Sequence, residues 1–327
     1  NRRWIKAEES IVLSEFSRAG ALAGEAARQM VERSGVPVCI LKAAISATPI
    51  EEHLPARKNP PQGIYDTALF LAKQCGLAAF VRGIVWYQGE SNAGAGYGQK
   101  FARLFQSWNK DYPAIERVCV VQIRPHECNN LDYADIQEEQ RRLPLLHSKI
   151  RVVASNAVEG FDGCHFSQRG YESIANRVVG ALTSGAESDS LSFAPNLARA
   201  YFADSSARTM ICEFLPTTSA IGIANSATAA ARAREAFALD GRNADGSTFL
   251  GKRDYIERVE TDGSNRVIVH LREDANIRVE RVSYGVERPI HSEDGRVAEE
   301  VWLLDRRFGD GRYGGVLSFY RARVEKW

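Results

Sequence analysis

Up to about Gly185 the polar and apolar positions follow two alternating rhythms. Four short runs are almost uninterruptedly apolar: VPVCILKAA (36–44), GIVWYQG (83–89), RVCVVQI (117–123) and KIRVVAS (149–155). A strand that is apolar on both faces is one buried between two layers, as parallel strands are. Between these runs, at 64–76, 97–109, 132–147 and 168–182, apolar residues return every three or four positions. The last stretch places Tyr171, Ile174, Ala175, Val178 and Leu182 on one helical face. Strand and helix in alternation predict an α/β fold, a parallel sheet flanked by helices with right-handed crossovers.

The rhythm changes after LTSGAESDSLSFAP (182–195), a polar linker. RTMICEF, AFALDG, RVIVHL, RVERVSYGVE and GVLSFYRARVE are short strand candidates, separated by turn signals such as DGRNADGS and TDGSN. Only the Ala/Arg-rich stretch 227–236 interrupts them with a helical pattern, and TTSAIGIANSATAAARAR (217–234) is low in complexity and reads as a mobile loop. We therefore expect two domains: an α/β domain over 1–185 and a mostly antiparallel β domain over 193–327.

Composition changes this picture little. Hydrophobic residues make up 44% and charged residues 25% of the 327, as in water-soluble globular chains. The formal charge of +1 gives no reason to expect a nucleic-acid or anionic-lipid partner. No apolar run reaches membrane-spanning length, so no membrane association is expected. The six cysteines show no C-x-x-C spacing, which argues against a zinc site. Cys39, Cys75 and Cys119 lie in apolar segments and read as buried thiols, while Cys128 and Cys164 flank loops and could pair. There is no N-x-[ST] sequon, which tilts against a glycosylated eukaryotic secretory protein.

Ligands of an open parallel sheet sit beyond the carboxyl ends of its strands. There the second apolar run breaks into Gln88, Gly89, Glu90, Ser91 and Asn92. Gln and Asn amides are donors that suit a developing oxyanion, and glycine lets backbone approach closely. The same residues also suit a plain βα loop in which Ser91 or Asn92 caps the next helix. After the last parallel run come Asp162 and His165, three apart. That spacing lets a carboxylate fix one imidazole tautomer and leaves the other nitrogen to take a proton from a nucleophile. It also fits a loop aspartate and an incidental histidine ahead of a helix.

Together, WYQGESNA (86–93) and DGCHFSQRGY (162–171) resemble the SGNH-hydrolase superfamily, in its sialate O-acetylesterase and acetylxylan-esterase branch. GVPVCILKAAISATPIEEHL (35–54) is similar to that family's strand and loop ending in Gly-Gly-Thr-Pro-Ile-Glu. Residues 2–30 resemble the segment upstream, EEQRRL (138–143) its glutamine helix, and VSYGVE (282–287) a strand of its C-terminal β domain. The resemblance implies a flavodoxin-like SGNH sheet and a Ser-His-Asp acyl-enzyme mechanism on an acetylated carbohydrate, with no cofactor and no metal. It assigns His165 and Asp162 to the triad and Gln88 to the oxyanion hole. Gly89, Glu90, Asn92, Ser46 and Ala47 are then substrate-binding, with Glu90 organising its loop and a backbone N–H near Ser46 and Ala47 as a second oxyanion donor. Here the family's Gly-Gly is Ser46-Ala47, and a side chain adopts a positive φ only at some cost.

The family's nucleophile is a serine in a Gly-Gln-Ser-Asn type motif at the end of the first strand. No Gly-x-Ser precedes residue 36; Ser10, Ser14 and Ser17 fall in the post-nucleophile segment. In the strand order 2-1-3-4-5 the first strand lies inside the sheet. Leaving it out strands two rows of backbone groups at about 1–3 kcal/mol each, against a net stability of about 5–15 kcal/mol. We therefore expect an N-terminal segment or companion chain that completes the sheet and carries the serine. The chain opens at Asn1 rather than Met, so a preceding piece, and a leader with it, is expected to have been removed.

The function expected is carbohydrate O-acetyl esterase, in an extracytoplasmic location. The competing reading is a non-catalytic carbohydrate-binding relative. A metal-dependent hydrolase using His126, Glu127, Asp162 and His165 has no ligand spacing behind it. Arg124 and His126 follow a strand and read either as cleft residues, where Arg would suit a substrate carboxylate, or as solvated loop residues. Trp86 and Trp108 read as core and Tyr97 as a sugar platform, while His53, His147, His270 and His291 read as surface or structural.

Overall fold

Among the described residues the first sheet has three strands, and both of its faces are covered by helices. In the computed structural model, which describes residues 20–125, 131–183, 194–216, 218–223, 232–286, 301–306 and 314–326, β1 (Gly83–Trp86), β2 (Arg117–Gln122) and β3 (Ile150–Ala154) lie side by side in parallel. Helices α2 (Gly63–Gln74), α3 (Tyr97–Asp111), α4 (Ala134–Leu146) and α5 (Gln168–Thr183) fall within two residues of the predicted stretches. α1 (Ala21–Ser34) precedes them and was not predicted.

Alternation along β2 explains its unbroken apolar run. Val118 and Val120 join the core formed with α2, α3 and α4, whereas Cys119 and Val121 join the core formed with α5. α1 closes the outer side of α5 through Ala26 against Ala175 and Val179. β3 is buried along its whole length, but in β1 only Trp86 is fully buried and Val85 is 39% exposed.

The run 36–44 departs from its prediction. It forms no strand, and Val36, Val38, Ile40 and Leu41 face solvent. Parallel strands have no hydrogen bonds except to neighbouring strands, and among the described residues nothing pairs with the side of β1 away from β2. Cys39 is exposed for the same reason, and Cys75 because it ends α2 at the surface; Cys119 and Cys212 are buried.

The β part is larger. Eight strands run in the order β8 (Thr248–Lys252), β7 (Phe237–Asn243), β11 (Ile277–Tyr284), β14 (Phe319–Glu325), β4 (Asn196–Phe202), β5 (Thr209–Leu215), β10 (Arg266–Leu271), β9 (Ile256–Thr261). All neighbours are antiparallel except β14 and β4. A small second sheet joins β13 (Gly314–Gly315), β12 (Leu303–Asp305) and β6 (Ile221–Ile223). Phe214, Phe237, Tyr284 and Phe319 are fully buried at the centre of its core. β6 lies in the stretch read as a mobile loop; of the Ala/Arg-rich pattern, Ala233–Ala236 form a 3-10 turn, and 217 and 224–231 lie outside the described residues.

The two parts meet through buried amides. Gln122 Nε2 donates to Ser318 O at 2.9 Å, and its Oε1 accepts from Ser318 N at 2.8 Å. Asn156 Nδ2 donates to Val316 O and Ser318 Oγ, and Gln137 Nε2 to Gly285 O. The β part therefore seats on the ends of β2 and β3 next to the loops they feed.

Candidate active site

β1 ends in a turn that only glycine fits. Gly89 has φ +151°, and a Cβ there would lie 3.0 Å from Ile123 and 3.1 Å from the Gln140 amide. Gln88, just before it, is buried and gives its amide hydrogens to Thr48 O at 3.2 Å and Asn92 Oδ1 at 2.6 Å. Asn92 Oδ1 also accepts from Ile50 N, and its Nδ2 donates to Glu51 at 3.0 Å. Glu51 in turn pairs with Lys100 of α3. The loop after β1 is thus laced to the Thr48–Glu51 loop. Donation from Gln88 to an oxyanion would require sharing one of these hydrogens. Neither Ser91 nor Asn92 caps a helix, since α3 begins after Gly96.

Ser46 and Ala47 sit at the head of the laced loop. Ala47 holds φ +58°, the left-handed conformation that the family's glycine would adopt freely. Behind it, the Thr48 hydroxyl donates to Ile45 O, so it accepts from His53 Nε2 at 2.8 Å. His53 is buried against Trp86, and its burial lowers its pKa, making it a structural histidine.

A second layer braces these loops. Gln140 of α4 donates to Gln88 O at 2.9 Å and accepts from Ile123 N at 2.9 Å. Tyr97 is not a sugar platform: it is 2% exposed, its hydroxyl donates to Gln88 O, and it accepts from Trp86 Nε1. Its place at the first turn of α3 points it into the core formed by Trp86, Phe101 and Trp108, both tryptophans being core as expected. The sequence signal for this layer was Gln137 and Gln140 on the face of α4 that also carries Ile136 and Leu143.

Asp162 and His165 occupy a hairpin after β3. Phe161 and Phe166 form its antiparallel bridge, and Ser167 N donates to Gly160 O. Asp162 Oδ1 accepts from His165 N at 2.6 Å and Cys164 N at 2.8 Å, and these donors, His165's first, hold the carboxyl below its ordinary range. The pair is joined through the backbone of His165, and both side chains are exposed. α5 starts immediately afterwards. Gly170 permits this, because a Cβ there would come within 2.8 Å of Glu159 O and 2.9 Å of Phe166. Cys164 is disulfide-bonded; Cys128 lies outside the described residues, as do His126 and Glu127.

The two loops converge. Tyr87 packs into the same apolar cluster as Phe161, Phe166 and Tyr171. The Tyr171 phenol is raised mainly by burial, and also by the Glu90 and Asp162 carboxylates on either side of the site. Burial pushes Glu90 up to about 7. Arg124 neither lines a cleft nor is solvated: it is 3% exposed and lies over the Phe161 ring, with burial holding it down to about 10. Among the described residues, no three His, Cys, Asp or Glu side chains are grouped to hold a metal ion, and no helix is long and apolar enough to cross a membrane.

Residues 1–184 match the family described as carbohydrate esterase, sialic acid-specific acetylesterase. The chain belongs to this family. The match covers the whole α/β part, including both converging loops, and agrees with the SGNH resemblance of WYQGESNA and DGCHFSQRGY. No curated protein matches the chain significantly. As a carbohydrate esterase by family, the protein has a carbohydrate ester as its expected class of substrate.

Proposed function

We propose that the protein removes acetyl groups from O-acetylated sugars, sialic acids among them, by an acyl-enzyme route. One observation carries the reading: the Gln88–Asn92 lacing and the Asp162–His165 hairpin follow strands of one parallel sheet at the same end, and Tyr87 beside the first and Phe161, Phe166 and Tyr171 around the second pack into one apolar cluster. A serine hydroxyl attacks the acetyl carbonyl while His165 takes its proton and Asp162, bound to the His165 backbone N–H, holds the histidine in place. Donors near Ala47 and in the Gln88 loop hold the oxyanion, and Gly89, Glu90, Asn92 and Ser46 shape the acetyl pocket. The sugar oxygen leaves with the proton from His165, and water repeats the cycle to release acetate.

The serine belongs to a strand that completes the sheet beside β1, on a preceding segment or a companion chain. Supporting this, β1 has no partner on that side among the described residues, and its own Val85 is exposed. An open strand edge of this kind suits strand addition. We take 1–185 as the catalytic domain and 193–327 as a second domain seated on it. We place the enzyme outside the cytoplasm; the disulfide at Cys164 supports this, since such bonds persist in oxidising compartments.

The test is acetate release from 4-nitrophenyl acetate and from O-acetylated sialic acid, using native material whose species have been defined by intact mass and N-terminal sequencing. A companion strand with a Gly-x-Ser should be present, and His165→Ala should cost at least about a thousandfold in kcat. A folded, sequence-defined chain without that strand and without activity would leave the carbohydrate-binding relative as the answer.

A further inference from the structure

The hairpin that carries Asp162 and His165 is gripped from outside its own strand. The rings of Phe161 and Phe166 stand 4.9 Å apart, and one cation faces both: Arg124 Cζ lies 3.9 Å from the centroid of Phe161 and 5.7 Å from that of Phe166. A third ring, that of Trp302, lies 5.1 Å from the same carbon. Trp302 comes from the β part, one residue before β12, and is held edge-on by Tyr284 at 6.4 Å. Gly285 leaves room for it, because a Cβ there would sit 3.2 Å from the indole, and Tyr284 fixes the chain beyond by accepting from Leu303 N at 2.7 Å. A continuous series of contacts thus links β11 to the residues flanking His165.

We propose that Arg124 and Trp302 form a clamp that positions the Asp162–His165 hairpin, making the β part a working component of the ester-cleaving site. The proposal rests on the esterase reading. Both are positioning residues, acting through Phe161 and Phe166. Arginine suits the role because its planar guanidinium stacks on ring faces and keeps its charge when buried. Tight positioning matters because displacing a reacting group by about 1 Å can cost about a hundredfold in rate.

The experiment uses the complete active enzyme with Trp302→Ala, Trp302→Phe and Arg124→Lys. The first readout needs no activity: amide hydrogen exchange of residues 160–168, read against β7 and β11. Trp302→Ala should speed exchange in the hairpin at least about tenfold and leave β7 and β11 unchanged, with Trp302→Phe close to the parent. The second readout is kcat and KM on 4-nitrophenyl acetate. Trp302→Ala and Arg124→Lys should lower kcat about tenfold or more with KM within about twofold, and Trp302→Phe should restore most of it. If Trp302→Ala also loosens β11, Arg124→Lys decides, since it changes no residue of the β part and keeps the packing of Trp302 on Tyr284. Unchanged hairpin exchange in both Trp302→Ala and Arg124→Lys overturns the clamp, as does unchanged kcat in both. A parent enzyme that releases no acetate overturns the esterase reading instead, and hairpin exchange then still decides the clamp.

Discussion

Asn92 and Gln88 are bound to each other inside the protein: Gln88 Nε2 donates to Asn92 Oδ1 at 2.6 Å, and both side chains are at least nine-tenths buried. The same Asn92 oxygen takes the Ile50 N–H. Asn92→Ala therefore strands two buried donors and should cost about 2–4 kcal/mol in urea unfolding, since each orphaned donor is worth about 1–3 kcal/mol. Ser91→Ala, next to it, should stay within about 0.5 kcal/mol. Equal effects from the two would mean that the lacing is not what holds the loop.

Ala47 has a conformation that suits glycine, at φ +58°. A left-handed backbone costs a residue with a Cβ roughly 1–2 kcal/mol, part of which glycine returns as chain entropy lost on folding. Ala47→Gly should raise stability by about 0.5–1 kcal/mol. Ser46→Gly should lower it or leave it unchanged, because Ser46 is not in the left-handed region. Thermal melting of the two variants separates these outcomes.

Patterning made much of this legible. The helices at 97–111 and 168–183 bury the positions that their 3.6-residue periodicity marks, Phe101, Leu104, Phe105 and Trp108 in one and Ile174, Ala175 and Val178 in the other, whereas the helix at 134–146 buries Gln137, Gln140 and Arg141 and exposes Leu145 and Leu146. The strand at 36–44 was misread because an apolar run reports what a segment can bury, while a parallel strand also needs a neighbour to hydrogen-bond with. Tyr97 was misread as a platform because sequence cannot say which way the first residue of a helix points; its hydroxyl faces Gln88 O. The motif residues Gln88, Asn92, Asp162 and His165 stood out as polar breaks after apolar runs. Arg124 and Trp302 did not reveal their relation, since 178 residues separate them and only the seating of the β part brings them together.

Glu90 gives the pH dependence a definite sign. Burial raises its carboxyl to about 7 in the folded protein, above the 4.5 expected when unfolded. The folded state therefore binds the proton more tightly, and stability falls as pH rises from about 4.5 to 7, by up to about 3 kcal/mol. Glu90→Gln should remove that fall, so that the melting temperatures of parent and variant converge near pH 4.5 and separate, the variant higher, by pH 8. A parent whose stability rises over this range would contradict the assignment.

Gln122 and Asn156 both hold Ser318, Gln122 through its backbone N–H and carbonyl and Asn156 through its hydroxyl. Gln122→Leu leaves Ser318 N without its acceptor and Ser318 O without its donor in a site closed to water, which should cost about 2–5 kcal/mol. Asn156→Ala should cost less, because the Ser318 hydroxyl still donates to Gly285 O at 2.7 Å. The two residues share one partner and seat the same segment, so their effects should not add; a double-mutant cycle should give a coupling of at least about 0.5 kcal/mol. Loss of that seating should also speed hydrogen exchange at 314–320 before the core of β7 and β11 is affected, because those strands keep their own ladder. Strict additivity, with exchange unchanged at 314–320, would show that the amides satisfy local backbone groups without joining the β part to the sheet.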